Sequence, residues 1–332
     1  MRVAVLGAGA IGAYVGAALH RGGTDVTLIA RGRHLEAMRR DGVRVLSPRG
    51  DFHAAVPATG DPAEVGQVDY IVLGLKAQDY AGSGAMVGPL LGPQTSIVAA
   101  QNGIPWWYFH GESGAHSGRR IEAVDPGGAV SAILDPARAI GCVVYCSTEL
   151  EGPGLVRHIE GTRFTIGEPD GSDSERCRAF SEAMVAGGLK CPVETDIRSE
   201  LWLKLMGNAA FNPISALTRA TMDQIATCPP TRRLAVELMT EVRAVAAALG
   251  RAPEISIERR LAGAEKVGPH RTSMLQDLEA GKALELAPLV GAVVELAEVT
   301  GVPVPALRAV AATAALLDLV ARGADVTQAP PM

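Results

Sequence analysis

The glycine pattern at the start of the chain constrains its fold more than any other feature. An apolar run at residues 1–6 precedes Gly7-Ala8-Gly9-Ala10-Ile11-Gly12, and a helical stretch at residues 13–21 follows it. A strand, a glycine turn and a helix in this order form the context in which G-x-G-x-x-G binds a dinucleotide. Gly7 permits the tight turn, Gly9 lets backbone approach a pyrophosphate, and Gly12 lets helix and strand pack closely. The pattern predicts a dinucleotide site that includes Ala10 and Ile11 at the helix start.

The end of the second predicted strand indicates which dinucleotide the site prefers. Residues 25–29 form an apolar strand pattern that ends in Ala30-Arg31-Gly32-Arg33. An NAD enzyme usually carries Asp or Glu about 20 residues after the glycine pattern, where it binds the ribose 2′-hydroxyl. Here Arg31 lies in that neighbourhood and favours a 2′-phosphate, so we predict NADP(H) as the cofactor. The alternative for Arg31 is a solvated arginine.

Composition limits the classes of partner and the compartment. The net charge of −5 gives no reason to expect nucleic acid or an anionic membrane as a partner. No apolar run reaches the length of a membrane span, and we expect no signal peptide before the first strand. The five dispersed cysteines indicate a reducing compartment, so we expect a cytoplasmic protein. The seven histidines form no cluster with ligand spacing, which predicts that there is no metal site.

The order of patterns along the 332 residues predicts two domains of different class. Strands alternate with helices from residue 1 to 195, the last predicted strand being Cys191–Glu194. We predict an α/β fold in which an N-terminal Rossmann-type, doubly wound sheet with an antiparallel extension precedes an all-helical C-terminal domain at residues 196–323. A substrate cleft is expected between the domains, and a disordered tail at residues 324–332. Helix breaks are predicted near Pro213, Pro229-Pro230, Pro253, Pro269 and Pro303.

The segment from Trp106 to Ala139 differs from its surroundings. It begins Trp106-Trp107-Tyr108-Phe109-His110 and then becomes rich in Gly, Ser, Arg and Pro. A structureless segment of this length is usually a lid, a binding loop or a contact surface. The two tryptophans would either cover a substrate or plug the domain interface, and the sequence favours neither interpretation.

One predicted helix carries polar residues at regular spacing. Lys204, Asn208 and Asn212 are four residues apart, so they drift by only about 40° per step and share one face. Asparagine is a poor helix former, so two of them beside a lysine suggest contact with a ligand. A solvated stripe with an Asn-Pro helix terminus explains the pattern equally well.

Four further residues are candidates for the site. Ser273 opens a predicted helix, where Ser and Thr are more often caps, and Glu285 follows twelve residues later. Lys76 and Asn102 each follow a buried strand closely. Groups just past the carboxyl ends of parallel strands face the ligand crevice of such a sheet. Asn102-Gly103 would otherwise be only a turn.

Taken together, these pieces resemble the ketopantoate reductases (2-dehydropantoate 2-reductases), and the likeness spans nearly the whole chain. Each piece alone is a weak signal, whereas their occurrence in one order is specific. The matching pieces are Gly7-Ala8-Gly9-Ala10-Ile11-Gly12, Arg31, Leu75-Lys76-Ala77, Asn102-Gly103, Trp202-Leu203-Lys204-Leu205 through Asn208 to Asn212-Pro213, and Ser273-Met274-Leu275-Gln276-Asp277 with Glu285.

The resemblance implies a reaction and a role for each of these residues. It implies NADPH-dependent reduction of a 2-oxo acid ketone, with ketopantoate as the leading substrate and pantothenate biosynthesis as the context. Lys204 is then the general acid, and Glu285 assists it. The resemblance also implies that Asn208, Asn212 and Ser273 bind the substrate, and that Lys76 and Asn102 lie near the nicotinamide and ribose.

Two departures from the family pattern concern the substrate more than the reaction. Met222 falls about where the family has another polar substrate ligand, and Ala287 replaces an acid that usually follows the glutamate by two residues. A reductase of a different 2-oxo acid, or a hydroxyacid dehydrogenase on the same plan, is therefore an alternative. A non-catalytic NADPH-binding sensor is an alternative from another class. A homodimer is our expectation for the assembly.

Overall fold

The computed structural model describes residues 1–328, which fall into two units. Unit 1 comprises residues 1–101, 106–120 and 127–197. Unit 2 comprises residues 102–105, residues 121–126 and the chain from Arg198 onward. The boundary and the roles predicted for residues 1–195 and 196–323 stay predictions. None of the helices in residues 1–328 combines the length and apolar character that a membrane crossing requires.

Unit 1 is built on a nine-stranded sheet in the order β4-β3-β9-β8-β7-β6-β1-β2-β5. Its strands are β1 Arg2–Leu6, β2 Asp25–Ile29, β3 Val43–Leu46, β4 Phe52–Ala54, β5 Ala58–Thr59, β6 Val68–Leu73, β7 Leu91–Ala99, β8 Ala139–Gly152 and β9 Leu155–Gly167. Strands β5, β2, β1, β6, β7 and β8 pair in parallel, whereas β9 is antiparallel to β8. The predicted fold class is confirmed, including the antiparallel extension.

The register of the parallel strands aligns their carboxyl ends. Leu6 pairs with Ile29 on one side and with Leu73 on the other, and Leu73 pairs with Ala99. The segments that follow β1, β2 and β6 therefore leave the same edge of the sheet, which is the edge where open α/β sheets bind ligands.

The helices of unit 1 pack on this sheet through small residues. They are α1 Ala10–Arg21, α2 Gly32–Asp41, α3 Gly84–Val87 and α4 Glu175–Ala186. A Cβ atom on Gly16 of α1 would lie 2.3 Å from Cδ2 of Leu28, so the helix approaches β2 closely only because that position is glycine. In residues 1–328 no cysteine forms a disulfide, and burial raises the pKa of the Cys177 thiol to about 12 and that of Cys191 still further. Both of these cysteines are core thiols.

The aromatic run after residue 105 belongs to the core of unit 1. Trp106 and Trp107 are 4% and 2% exposed. The Trp106 indole N–H donates to the carbonyl of Leu134 at 2.8 Å, and the ring of Trp107 packs against Gly141. The prediction of a structureless segment is wrong, because the segment forms turns and the 3₁₀ helices Pro126–Gly128 and Pro136–Arg138, and its tryptophan rings are buried.

Unit 2 is helical. Its helices are α5 Ile197–Thr218, α6 Met222–Thr227, α7 Pro229–Ala248, α8 Ile257–Val267, α9 Ser273–Glu279, α10 Ala292–Thr300 and α11 Pro305–Ala321, with a π-helix at Ala287–Gly291. The breaks predicted near Pro229, Pro253, Pro269 and Pro303 are confirmed, since helices begin or end close to each of them.

The break predicted at Pro213 is wrong, because α5 continues through it to Thr218. Proline removes one backbone hydrogen bond from a helix interior. Phe211 and Ile214, on either side of it, are each 2% exposed, and the burial of such side chains offsets the loss.

Two smaller predictions also fail. Residues 191–194 form no strand, because only an isolated bridge joins Ile166 to Val193. In the predicted disordered tail, the N–H of Ala324 donates to the carbonyl of Leu319 at 2.9 Å, and Val326–Gln328 forms a 3₁₀ turn. Local hydrogen bonds therefore order residues 324–328, and the rest of the predicted tail, residues 329–332, lies outside the described residues.

Candidate active site

The glycine turn after β1 has the conformation that the sequence predicts. Gly7 has a φ of +90°, and a Cβ atom there would lie 2.7 Å from Cδ2 of Leu75. The N–H groups of Gly7 and Ala8 both donate to the carbonyl of Ile29, at 3.1 and 3.2 Å. These two bonds fix the turn against the end of β2, so the start of α1 is held at the ligand-binding edge of the sheet.

Gly9 and Gly12 serve this turn in different ways. A Cβ atom on Gly12 would lie 2.3 Å from the carbonyl oxygen of Gly7, so only glycine permits this packing. A Cβ atom on Gly9 would meet nothing within 4 Å. Gly9 precedes α1 and gives it no side-chain cap. Within the described part of the chain, the first N–H groups of the helix, on Ala10 and Ile11, are therefore open for an anion. The open space and the uncapped helix fit the pyrophosphate of a dinucleotide.

Arg31 and Lys76 follow two of the aligned strands. Arg31 lies just before α2 in extended backbone (φ −142°, ψ 164°) and is exposed. In residues 1–328 no other residue forms an ion pair or hydrogen bond with its guanidinium, which therefore remains available to a 2′-phosphate. Lys76 is half-buried, and its carbonyl accepts from the N–H of Asp79 at 2.9 Å at the start of a 3₁₀ turn.

In unit 2 the structure joins two of the predicted site residues directly. Nζ of Lys204, which is half-buried on α5, donates to Oδ1 of Asn102 at 2.6 Å. An ammonium group has no acceptor, so the amide of Asn102 must present its oxygen to the lysine. Asn102 thereby fixes the position of the cation on the face that Lys204 shares with Asn208 and Asn212.

The amides of Asn208 and Asn212 lie on the same face of α5. Asn208 is half-buried and Asn212 is 5% exposed. Within the described part of the chain, neither amide has a hydrogen-bond partner. A side-chain amide can both donate and accept hydrogen bonds, so these amides are suited to the polar groups of a ligand.

The turn at Asn102-Gly103 is held by a contact that the sequence did not indicate. Gly103 has a φ of +82°, and a Cβ atom there would lie 2.2 Å from the carbonyl oxygen of Pro288. The same carbonyl accepts from the N–H of Ile104 at 2.8 Å. The turn that carries Asn102 therefore packs on the π-helix Ala287–Gly291, and π-helices are frequent at functional sites.

Glu285 and Ser273 lie on neighbouring parts of unit 2. Glu285 is half-buried and precedes the π-helix by two residues. Ser273 is the exposed first residue of α9, where the hydroxyl of Thr272 serves as the cap and accepts from the N–H of Leu275 at 3.2 Å. The cap is therefore Thr272, and the hydroxyl of Ser273 is not needed for this role.

Arg260 is a cation near this helix face that sequence reasoning missed. A Cβ atom on Gly207 would lie 2.5 Å from both Nε and Nη2 of Arg260, so the guanidinium of α8 lies against α5. Gly207 is three residues after Lys204 and next to Asn208, and helical residues three apart are neighbours. In the sequence, the signal for this contact is Gly207 itself, because a glycine on a helix face leaves room for another group to approach.

Comparison with known proteins identifies the family to which the chain belongs. Two family models match the chain: "Ketopantoate reductase PanE/ApbA" over residues 3–113 and "Ketopantoate reductase PanE/ApbA C terminal" over residues 196–318. The chain belongs to the ketopantoate reductase family. It is an oxidoreductase, and the resemblance inferred from the sequence is confirmed.

Individual members of the ketopantoate reductase family match along nearly their whole length. The chain is 48% identical to a 2-dehydropantoate 2-reductase of Mesorhizobium japonicum over 94% of this chain and 96% of the relative. A structure from Ralstonia solanacearum MolK2, named as a candidate ketopantoate reductase, matches with a TM-score of 0.91 and 35% identity, covering 98% and 99% of the two chains. The 2-dehydropantoate 2-reductase of Geobacter metallireducens GS-15 has a TM-score of 0.82 and 29% identity, covering 94% and 98%.

Proposed function

We propose that this protein reduces the ketone of 2-dehydropantoate to the alcohol of pantoate with NADPH. The observation that carries the proposal is the hydrogen bond between Lys204 and Asn102, on the helix face that also presents Asn208 and Asn212. Its 48% identical relative, a 2-dehydropantoate 2-reductase, supports the choice of substrate.

Lys204 acts as the general acid in this proposal. NADPH, when bound, supplies the hydride that reduces the carbonyl carbon of the substrate. As negative charge grows on the carbonyl oxygen, the ammonium of Lys204 stabilises it and then donates a proton to it. Asn102 restricts the ammonium to one position, so the acid is oriented before the reaction begins. Glu285 assists Lys204, as the resemblance implies.

The remaining groups of unit 2 bind and orient the 2-oxo acid. The amides of Asn208 and Asn212 can donate to hydroxyl and carboxylate oxygens without adding charge, and Ser273 supplies a hydroxyl. The guanidinium of Arg260, which lies against Gly207, adds positive charge that suits a substrate with a carboxylate. Met222 and Ala287 are the positions at which a different acid would be accommodated.

Unit 1 holds the cofactor in this proposal. The space beside Gly9 and the N–H groups of Ala10, Ile11 and Gly12 receive the pyrophosphate, while Gly7 and Gly12 shape the turn. Arg31 binds the 2′-phosphate and thereby favours NADP(H), and Lys76 lies near the nicotinamide and ribose. For Asn102, which belongs to unit 2, a place near the same groups is what the family resemblance implies. The homodimer and the cytoplasmic location stay predictions.

Consumption of NADPH, measured by absorbance, tests the proposal with 2-dehydropantoate beside branched and aromatic 2-oxo acids. We expect turnover with 2-dehydropantoate to exceed that with every other acid of the panel. If only another 2-oxo acid of the panel were reduced, the proposed reaction would stand, but 2-dehydropantoate would not be the substrate. Tight NADPH binding without reduction of any ketone would indicate a sensor and overturn the proposal.

A further inference from the structure

The ring of His34, on α2, joins the glycine turn to a hairpin of the same unit. Its Nε2 lies 2.6 Å from the carbonyl oxygen of Ala8, within the glycine pattern itself. Its Nδ1 lies 2.9 Å from the backbone nitrogen of Gly154, in the turn between β8 and β9. The ring is half-buried, and both of its nitrogens are engaged.

The partners of the ring fix its tautomer. The backbone N–H of Gly154 can only donate, so Nδ1 of His34 must be the acceptor. The proton of the neutral ring is therefore on Nε2, which donates to the carbonyl of Ala8. Gly154 is itself anchored, because its carbonyl accepts from the N–H of Arg44 on β3 at 2.9 Å. The His34 ring thus accepts a hydrogen bond from Gly154, which the sheet anchors, and donates one to the carbonyl of Ala8.

This hydrogen bond orients one peptide group of the glycine turn. The carbonyl of Ala8 and the N–H of Gly9 belong to the same planar trans peptide, so they point in opposite directions. With the carbonyl fixed on His34, the Gly9 N–H points away from the ring. Among residues 1–328, that N–H has no hydrogen-bond acceptor. A Cβ atom on Gly9 would also meet nothing within 4 Å, so the residue borders open space.

We propose that His34 is a positioning residue for the phosphates of the dinucleotide. It holds the Ala8–Gly9 peptide so that the Gly9 N–H joins the N–H groups at the start of α1 as a donor to the pyrophosphate. If this peptide turned over, the Ala8 carbonyl would face the phosphates and repel them. The inference rests on the proposed dinucleotide binding and adds to it a residue that touches no part of the cofactor.

Two substitutions separate the two hydrogen bonds of the ring. In His34→Gln the side-chain amide nitrogen reaches the place of Nε2 and can still donate to Ala8. In His34→Asn the shorter side chain can accept from Gly154 but cannot reach Ala8. Both side chains are smaller than imidazole, so neither creates a clash, and each variant loses one hydrogen bond. A purely structural role for His34 predicts similar effects of the two changes.

Dissociation constants of the full-length variants for NADPH and NADH, measured by fluorescence titration, test the proposal. We expect His34→Asn to weaken both nucleotides by the same factor of about ten, which corresponds to about 1.4 kcal/mol. The dissociation constants of His34→Gln for both nucleotides should stay within about threefold of the wild-type values. Arg31→Ala is the matched contrast, because loss of the 2′-phosphate ligand should weaken NADPH alone.

The outcomes distinguish a failure of the inference about His34 from a failure of the proposed function. Wild-type affinity in His34→Asn, or equal losses in both variants, would overturn the inference while the proposed cofactor binding stands. Wild-type protein that binds neither nucleotide would overturn the proposed function and the inference with it. Similar thermal midpoints of the two variants, measured alongside, would show that a difference in affinity does not come from a difference in folding.

Discussion

The glycine turn of unit 1 and the α5 face of unit 2 are built on opposite principles. In the turn, the proposed cofactor site consists of space and backbone N–H groups, and Gly7, Gly9 and Gly12 matter for the side chains they lack. On α5, the proposed substrate site consists of the side chains of Lys204 and Asn208, and a regular helix fixes their spacing. An added carbon atom should therefore damage the first region, whereas a removed group should damage the second.

The contrast also separates stability from function. Gly12 cannot change without disturbing the packing of helix on turn, so at that position fold and site are inseparable. Lys204 is half-buried and bonded to Asn102, so its replacement removes a hydrogen bond and a charge but leaves the helix intact. Substitutions in the two regions can test this distinction.

The largest expected effect is that of Lys204→Ala on turnover. Loss of the general acid should lower kcat by about 10²–10⁴-fold, while NADPH affinity and the thermal midpoint stay close to wild type. Steady-state kinetics and a binding titration measure both quantities. Lys266→Ala, at an exposed lysine of α8, is the control and should keep full activity. If kcat of Lys204→Ala fell by less than tenfold, Lys204 would not be the general acid.

Arg31→Ala should have the next largest effect, and on one nucleotide only. A hydrogen bond to a charged group contributes about 1.5–3 kcal/mol, so NADPH should bind about 10- to 100-fold more weakly. NADH, which lacks the 2′-phosphate, should be little affected. Arg40→Ala, at the other end of α2 and paired with Asp41, controls for the loss of a surface charge. Equal losses for NADPH and NADH would show that Arg31 does not recognise the 2′-phosphate.

Gly12→Ala and Gly9→Ala should differ although each adds only one methyl group. The new Cβ atom of Gly12→Ala would lie 2.3 Å from the Gly7 carbonyl oxygen, so we expect destabilisation by about 1–3 kcal/mol in thermal melts. The methyl of Gly9→Ala enters empty space, so the melting temperature should stay unchanged. It should nevertheless weaken both nucleotides about tenfold, because the pyrophosphate needs that space. Undiminished binding by Gly9→Ala would place the phosphates elsewhere.

The sequence predicted both regions because each follows from a short local rule. The spacing of Gly7, Gly9 and Gly12 reflects the needs of a turn, a phosphate and a helix contact that all lie within six residues. The face of α5 follows from the period of a helix, which needs no knowledge of the rest of the fold. Both were therefore readable before any tertiary contact was known.

The predictions failed where distant packing overrides local preference. Pro213 would end an isolated helix, but the buried neighbours Phe211 and Ile214 hold α5 together. The sequence left open whether the tryptophan pair covers a substrate or plugs a domain interface, because it does not show that Trp107 packs on Gly141. The bond between His34 and Gly154 joins residues 120 positions apart, and no periodicity indicates such a pair.

The π-helix at Ala287–Gly291 has a consequence for how this protein tolerates insertions and deletions. A π-turn closes with an i→i+5 hydrogen bond, so the π-helix that leads into α10 holds one more residue per turn-closing bond than an α-helix would. Removing one residue there would restore regular winding and rotate the preceding chain by about 100° relative to α10. Glu285 lies in that preceding chain, two residues before the π-helix. The angular position of Glu285 relative to α10 thus depends on the number of residues in the uncharged segment Ala287–Gly291. A single-codon deletion there would rotate this carboxylate and would also disturb the contact between Pro288 and the turn that carries Asn102.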